Sequence, residues 1–170
     1  MTANPFDSNY VEPKSKSKYL QLTEGSHLIR IITTSTEGMS YFVNFIQNSD
    51  GTKTKEVYPD LGDGQSFGRL TWAFLVYNKD LEYVQVWECS QKAIQDYLMT
   101  IVRSKIKSKQ DWTKFDLQIT RTGTGQFDTK YSVLAGDNEE LSNEIISQIA
   151  SEIQKIDLSK LLTCEKPCLD

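Results

Sequence analysis

The chain has 170 residues, 38% hydrophobic and 25% charged, which suits one globular domain with an appended element. Its net charge of −4 excludes a uniformly basic nucleic-acid binder, and no stretch approaches the roughly 20 apolar residues of a membrane span. The opening "MTANPFDSNYVEPKSKSK" has no apolar segment of the secretory kind, so a cytosolic protein without membrane attachment is expected.

Net charge conceals distribution. "KSKSK" (14–18) and "RSKIKSK" (103–109) are basic, whereas Asp137 to Glu152 carries mostly acid. A basic central domain with an acidic end is compatible with these runs. The three cysteines, Cys89, Cys164 and Cys168, are an odd set and read as free thiols. A structural zinc site wants four ligands in two tight pairs, and "TCEKPC" with the single His27 does not supply them. No metal and no cofactor are expected.

Residues 1–18 are polar, with Pro and alternating Ser and Lys, and read as a flexible basic arm. "SHLIRIITT" (26–34) and "SYFVNFIQN" (40–48) read as strands joined by "STEGM". Residues 49–68, rich in Gly, Asp and Thr, read as one long loop of the kind that is often functional. Within it "DLGDGQ" (60–65) lacks the length and final Glu of a calcium loop and reads as a solvated turn. Leu70–Tyr77 and Tyr83–Glu88 flank "NKDLE" as a hairpin. Apolar residues at helical spacing predict a helix from Gln91 to Lys107 with Ser90 as its N-cap.

"FDLQITRTGTGQFDTKYSVL" (115–134) follows. Glycines spaced as in "TGTG" could cradle a phosphate, but that needs a helix after the loop, aimed at the anion. Here Phe115, Leu117 and Ile119 alternate before the glycines, and Thr129, Tyr131 and Val133 alternate after them. Strand on both sides makes a hairpin turn. Last, "NEELSNEIISQIASEIQKIDLSKLL" (138–162) predicts a terminal helix with one stripe of Leu141, Ile145, Ile146, Ile149, Ile153 and Ile156.

These elements define a mainly β chain with α (α+β): an OB-like five-stranded barrel, a helix before the last hairpin, and a C-terminal helix. A general α+β sheet is the alternative. The expected organisation is an arm (1–18), a barrel domain (19–136) and a helix with tail (137–170).

Catalysis is not expected. The one histidine lies in a predicted strand, no serine sits in a nucleophile elbow, and no cysteine has a recognisable His or Asn partner. Aromatic residues instead gather in the strands, interleaved with cations. Single-strand binders need both, cations for phosphates and aromatic faces for bases. The candidate phosphate contacts are Arg30, Arg69, Lys79, Arg121 and Lys130; the candidate stacking residues are Tyr41, Trp72, Tyr77, Trp87 and Tyr131. Strands also favour aromatics for packing, and Phe45, Phe74, Phe115 and Leu117 are expected in the core.

Three blocks in order carry a resemblance: "YLQLTEGSHLIRII", "RLTWAFLVYNKDLEYVQVWECSQKAIQDYL" and "FDLQITRTGTGQFDTKYSVL". Trp72-Ala73-Phe74, Val76-Tyr77-Asn78, Gln91-Lys92, Asp116, Ile119, Arg121, Gly123, Gly125, Thr129, Tyr131 and Val133 fit the pattern. From Tyr19 to Leu134 the chain resembles single-stranded DNA-binding proteins of tailed bacteriophages. The resemblance implies an OB fold that coats single-stranded DNA without sequence preference. It further implies service in phage replication, recombination and repair, in the cytoplasm of the infected host. That family often ends in an acidic tail that contacts replication partners. This chain ends instead in a striped helix and "TCEKPCLD".

The expected partners are therefore single-stranded DNA, phage replication or recombination proteins, and a second copy of the chain through the terminal helix. The alternative is an interaction module that binds no DNA and docks through that helix. A nucleotide-handling enzyme using the glycine turn is the weakest of the three readings.

Overall fold

A computed structural model describes residues 16–33, 38–59 and 68–168, the side chain of Trp112 excepted. The readings made for residues 1–15 of the arm, for most of the "STEGM" connection and for Asp60–Gln65 fall outside these residues.

Seven strands form one antiparallel sheet: β1 (Gly25–Ile31), β2 (Met39–Gln47), β3 (Lys53–Tyr58), β4 (Arg69–Asn78), β5 (Tyr83–Cys89), β6 (Phe115–Thr122) and β7 (Lys130–Asn138). The helices are α1 (Lys92–Lys107) and α2 (Asn143–Ile153), and a 3-10 segment spans Leu158–Thr163. The sheet runs β3-β2-β4-β1-β6-β7, with β5 on the other edge of β4. It is not closed into a barrel, so the expected five-stranded closure gives way to an open sheet of seven strands. The α+β class holds.

The extra strand lies where a continuous loop was expected. Lys53–Tyr58 pairs with β2 from Phe42↔Tyr58 to Gln47↔Lys53. Its "KTKEVY" gives only a faint apolar alternation, because the strand is an edge with few buried positions. β4 organises the sheet. Its first half pairs with β2 (Met39↔Ala73 to Val43↔Arg69), its second half with β1 (Ile29↔Asn78 to Ile31↔Val76), and its far edge with β5. The chain between β1 and β2 keeps this edge continuous: Ile32 donates its N–H to the Leu75 carbonyl at 3.0 Å, and the Leu75 N–H is accepted by Thr33 Oγ1 at 2.5 Å.

Each face has its own core. On one side α1 packs through Ile94 and Leu98 onto Ile29, Ile31, Val76, Trp87, Phe115, Leu117, Ile119 and Val133. Cys89 belongs to this core, and burial pushes its thiol up to about 12. On the other side the 3-10 segment inserts Leu158 and Leu161 against Tyr41, Val43, Ala73 and Val86. The predicted single terminal helix is thus two pieces, with different work. Ser142, whose hydroxyl accepts the Ile145 N–H, caps α2, and Asp157, whose carboxylate accepts the Ser159 N–H, caps the second piece. Between them the helix stops, and Ile156 pairs with Cys168.

β5 is closed off by neighbours rather than left as a free edge. The Val86 N–H is taken by the Lys18 carbonyl at 2.9 Å, and the Val84 N–H by Glu152 Oε2 of α2 at 2.7 Å. Residues 16–18 of the expected flexible arm are therefore attached to the sheet, where Lys16 Nζ also lies 5.0 Å from the Tyr83 ring centroid.

The "TGTG" stretch is a hairpin tip, as the alternation predicts. β6 and β7 pair from Leu117↔Ala135 to Thr122↔Lys130. Gly123 has φ +81°, and a Cβ there would lie 2.4 Å from the Asp128 carbonyl oxygen, so only glycine fits. The Asp128 carboxylate accepts the Gly125 N–H at 2.7 Å and fixes the tip.

Candidate nucleic-acid interface

The ten candidate contacts divide into three groups. Tyr41, Tyr77 and Trp87 are 0%, 2% and 1% exposed and belong to the interior, so their assignment as stacking residues is corrected. Trp87 lies on the α1 side of the sheet at 6.0 Å from the Phe74 ring. The Tyr41 hydroxyl donates to Glu88 Oε1 at 2.6 Å; burial first, then this bond, drives its pKa far above the ordinary phenol range.

Arg30 and Lys79 are corrected likewise. Arg30 is 2% exposed; its Nε donates to Asp116 Oδ1 at 2.8 Å and its Nη1 to the Glu139 carbonyl at 2.7 Å. Lys79 Nζ donates to the other oxygen of Asp116 at 2.5 Å and lies 3.6 Å from Glu139. These cations are engaged inside the protein and have little charge to offer a phosphate.

The third group stays accessible in varying degree. Arg121 is half-buried, with Nη1 donating to the Leu22 carbonyl at 2.8 Å, and it pairs across the hairpin with Tyr131. Tyr131 packs on the α1-side core with part of its surface free. Lys130 is exposed, and at the tip Phe127 is 97% exposed. Trp72, edge-on to Phe74 with centroids 6.2 Å apart, lines an apolar cleft of about 290 Å³ with Ile31, Met39, Leu98, Met99 and Val102.

Arg69 is exposed and makes no ion pair among the described residues. It stands at the start of β4, directly opposite Val43. Around it β2, β3 and β4 floor a polar groove of about 530 Å³, lined by Asn44, Phe45, Lys55, Arg69, Thr71, Glu88 and Ser90. Phe45 is 61% exposed and pairs with Lys55 across the β2–β3 ladder. Its expected place in the core is thus overturned: at this end of β2 neither the 3-10 segment nor α1 covers the sheet. Phe74 is only half-buried, while Phe115 and Leu117 are core residues as expected.

Glu88 puts one negative charge in the groove wall. Lys55 Nζ meets it at 2.9 Å together with the Tyr41 hydroxyl. Past Arg69 the groove continues along Ser90, Gln91, Lys92 and Gln95 to the start of α1. Ser90 is not the N-cap there. Gln91 holds that place, and no side chain caps the helix. The first amides of α1 therefore face this end of the groove without an internal side-chain acceptor.

The site is thus an open antiparallel sheet bearing an exposed aromatic residue, an exposed arginine without an ion pair among the described residues, and an uncapped helix start along one groove. Sequence reasoning found Arg69 and missed Phe45, Lys55 and Asn44. β2 alternates on both faces, so its pattern gave no signal of where coverage ends; only the existence of β3 would have placed Lys55 beside Phe45. Among the described residues no helix is long and apolar enough to cross a membrane. Comparison with protein-family models, with curated proteins and with solved structures gives no match to this chain.

Proposed function

We propose that the protein binds single-stranded DNA without sequence preference along the groove floored by β2, β3 and β4. One observation carries this reading: Phe45 stands 61% exposed on a sheet, beside Lys55 and near Arg69, which has no ion pair among the described residues. An exposed aromatic face has a hydrophobic cost in water that a stacked base removes, and stacking is indifferent to which base it meets. Arg69 neutralises a phosphate next to the stacked base. The uncapped amides of α1 receive the next phosphate, since a helix start favours anions.

A net charge of −4 does not oppose this, because much of the acid lies in the run from Asp137 to Glu152 and Lys55 offsets Glu88 in the groove. The order of motifs from Tyr19 to Leu134 supports the same reading. On that resemblance the setting is phage replication, recombination and repair in the host cytoplasm, with replication or recombination proteins as further partners. The function we infer is non-enzymatic.

The test is a titration of fluorescently labelled oligo-dT, read by anisotropy, against the same length of duplex. The expected outcome is preferential binding of the single strand, with log affinity falling linearly as log salt rises. No binding at low salt, equal affinity for duplex, or indifference to salt would reject the proposal.

A further inference from the structure

Two helices present apolar stripes that stand exposed among the described residues. On α1, Met99 and Ile106 are 37% and 55% exposed, with Val102 half-buried between them. On α2, Ile146 and Ile153 are 48% and 37% exposed, with Ala150 exposed between them. In both cases the spacing puts the three residues on one side of the helix; on α1 that side continues from Gln95, which bonds the Leu70 and Cys89 carbonyls, and borders the cleft over Trp72 and Phe74. α2 buries no residue fully; it is held at β5 by polar bonds, Glu152 to the Val84 N–H and Gln148 to the Glu82 carbonyl.

The two stripes are complementary in charge. α1 carries four basic residues and one acid, with Lys105 and Lys107 in its last turn. α2 carries two glutamates and no base, with Glu144 in its first turn. The α1 stripe also borders a recess: Met99 and Val102 form one wall of the 290 Å³ cleft that Trp72 and Phe74 floor.

We propose that copies of this chain associate head to tail, α2 of one copy docking by Ile146 and Ile153 against the α1 stripe and cleft of the next. α2 is held beside the start of β5 at Glu82 and Val84, whereas the cleft beside α1 opens over Trp72 and Phe74 of β4, so the two surfaces share no residue. Each copy can thus engage two neighbours at once. Such a contact is heterologous and propagates until a ring closes or a filament forms. The contact is independent of the groove, so it stands or falls without DNA.

Sedimentation of the full chain without DNA tests this. The average mass is expected to rise above 19.4 kDa with concentration, less so at high salt. Ile106→Glu and Ile146→Lys each weaken association by about tenfold or more. Both positions are exposed, and circular dichroism checks that the fold is kept. The decisive sample is the equimolar mixture of the two variants, in which one intact α2 meets one intact α1. Mass above monomer in the mixture, from two variants that are monomeric alone, is the expected result. A monomer at every concentration overturns the proposal, as does association untouched by either variant. Loss in only one variant, which marks a symmetric pairing of like helices, overturns it too, and so does a mixture that stays monomeric.

Discussion

Arg30 and Arg69 sit on neighbouring strands and look alike in the sequence, each beside apolar strand residues. Arg30 lies between β4 and β6, buried, where Asp116 takes its Nε donor and the Glu139 carbonyl its Nη1. Arg69 lies at the start of β4, where only β2 flanks it and the face is open. One end of the sheet engages Arg30 internally; at the other, Arg69 has no ion pair among the described residues. What separates the two arginines is not residue type but how many elements close over the strand.

Breaking the closed end has the largest expected effect. Arg30→Leu leaves Asp116 buried with Lys79 as its sole cation, and removing one partner of a buried pair costs about 3–5 kcal/mol. Denaturant unfolding measures this. Binding to oligo-dT by the fraction that stays folded is expected to match the parent. Full stability with lost DNA affinity would instead make Arg30 a ligand contact and dissolve the contrast.

The class of fold was legible because it rests on period and turns. β1, β2, β4, β5, the β6–β7 hairpin and α1 each carry a run of apolar residues at one spacing, punctuated by Gly, Asn or Asp. Coverage was less legible. β5, "YVQVWEC", is buried on both faces, so Trp87 shows the same alternation whether it meets α1 or solvent. The 3-10 segment covers Tyr41 but stops short of Phe45, four residues along the same face of β2. Nothing within β2 records where a segment more than a hundred residues later ends. The charges of Arg30 and Lys79 were misjudged for the same reason, since Asp116 and Glu139 reach them only through the pairing of β1 with β6.

Phe45→Ala sharpens the open end. If a base stacks on this ring, truncation lowers affinity for oligo-dT by about 1–3 kcal/mol. Stability should hardly change, because the side chain is 61% exposed and supports no core. Phe45→Trp is expected to keep the affinity, since it preserves an aromatic face. Anisotropy titration of the three proteins checks both points, and an Ala variant that binds like the parent removes Phe45 from the interface.

The smallest effect concerns Arg69, and it is read in a slope rather than in a midpoint. Each phosphate neutralised on a single strand contributes about 0.7 to the fall of log affinity with log salt. Arg69→Ala should therefore flatten that line by about 0.7, and its loss of affinity should shrink as salt rises. Arg69→Lys should restore most of the slope, because a phosphate asks for charge more than for a planar fork. Lys55 provides the internal comparison. Its ammonium is already shared with Glu88 at 2.9 Å, so Lys55 accounts for fewer of the counterions released on binding, and Lys55→Ala should flatten the line less than Arg69→Ala does. Equal flattening by the two substitutions would mean that the Glu88 pair opens when DNA enters, and that the difference between closed and open cations is a property of the free protein alone.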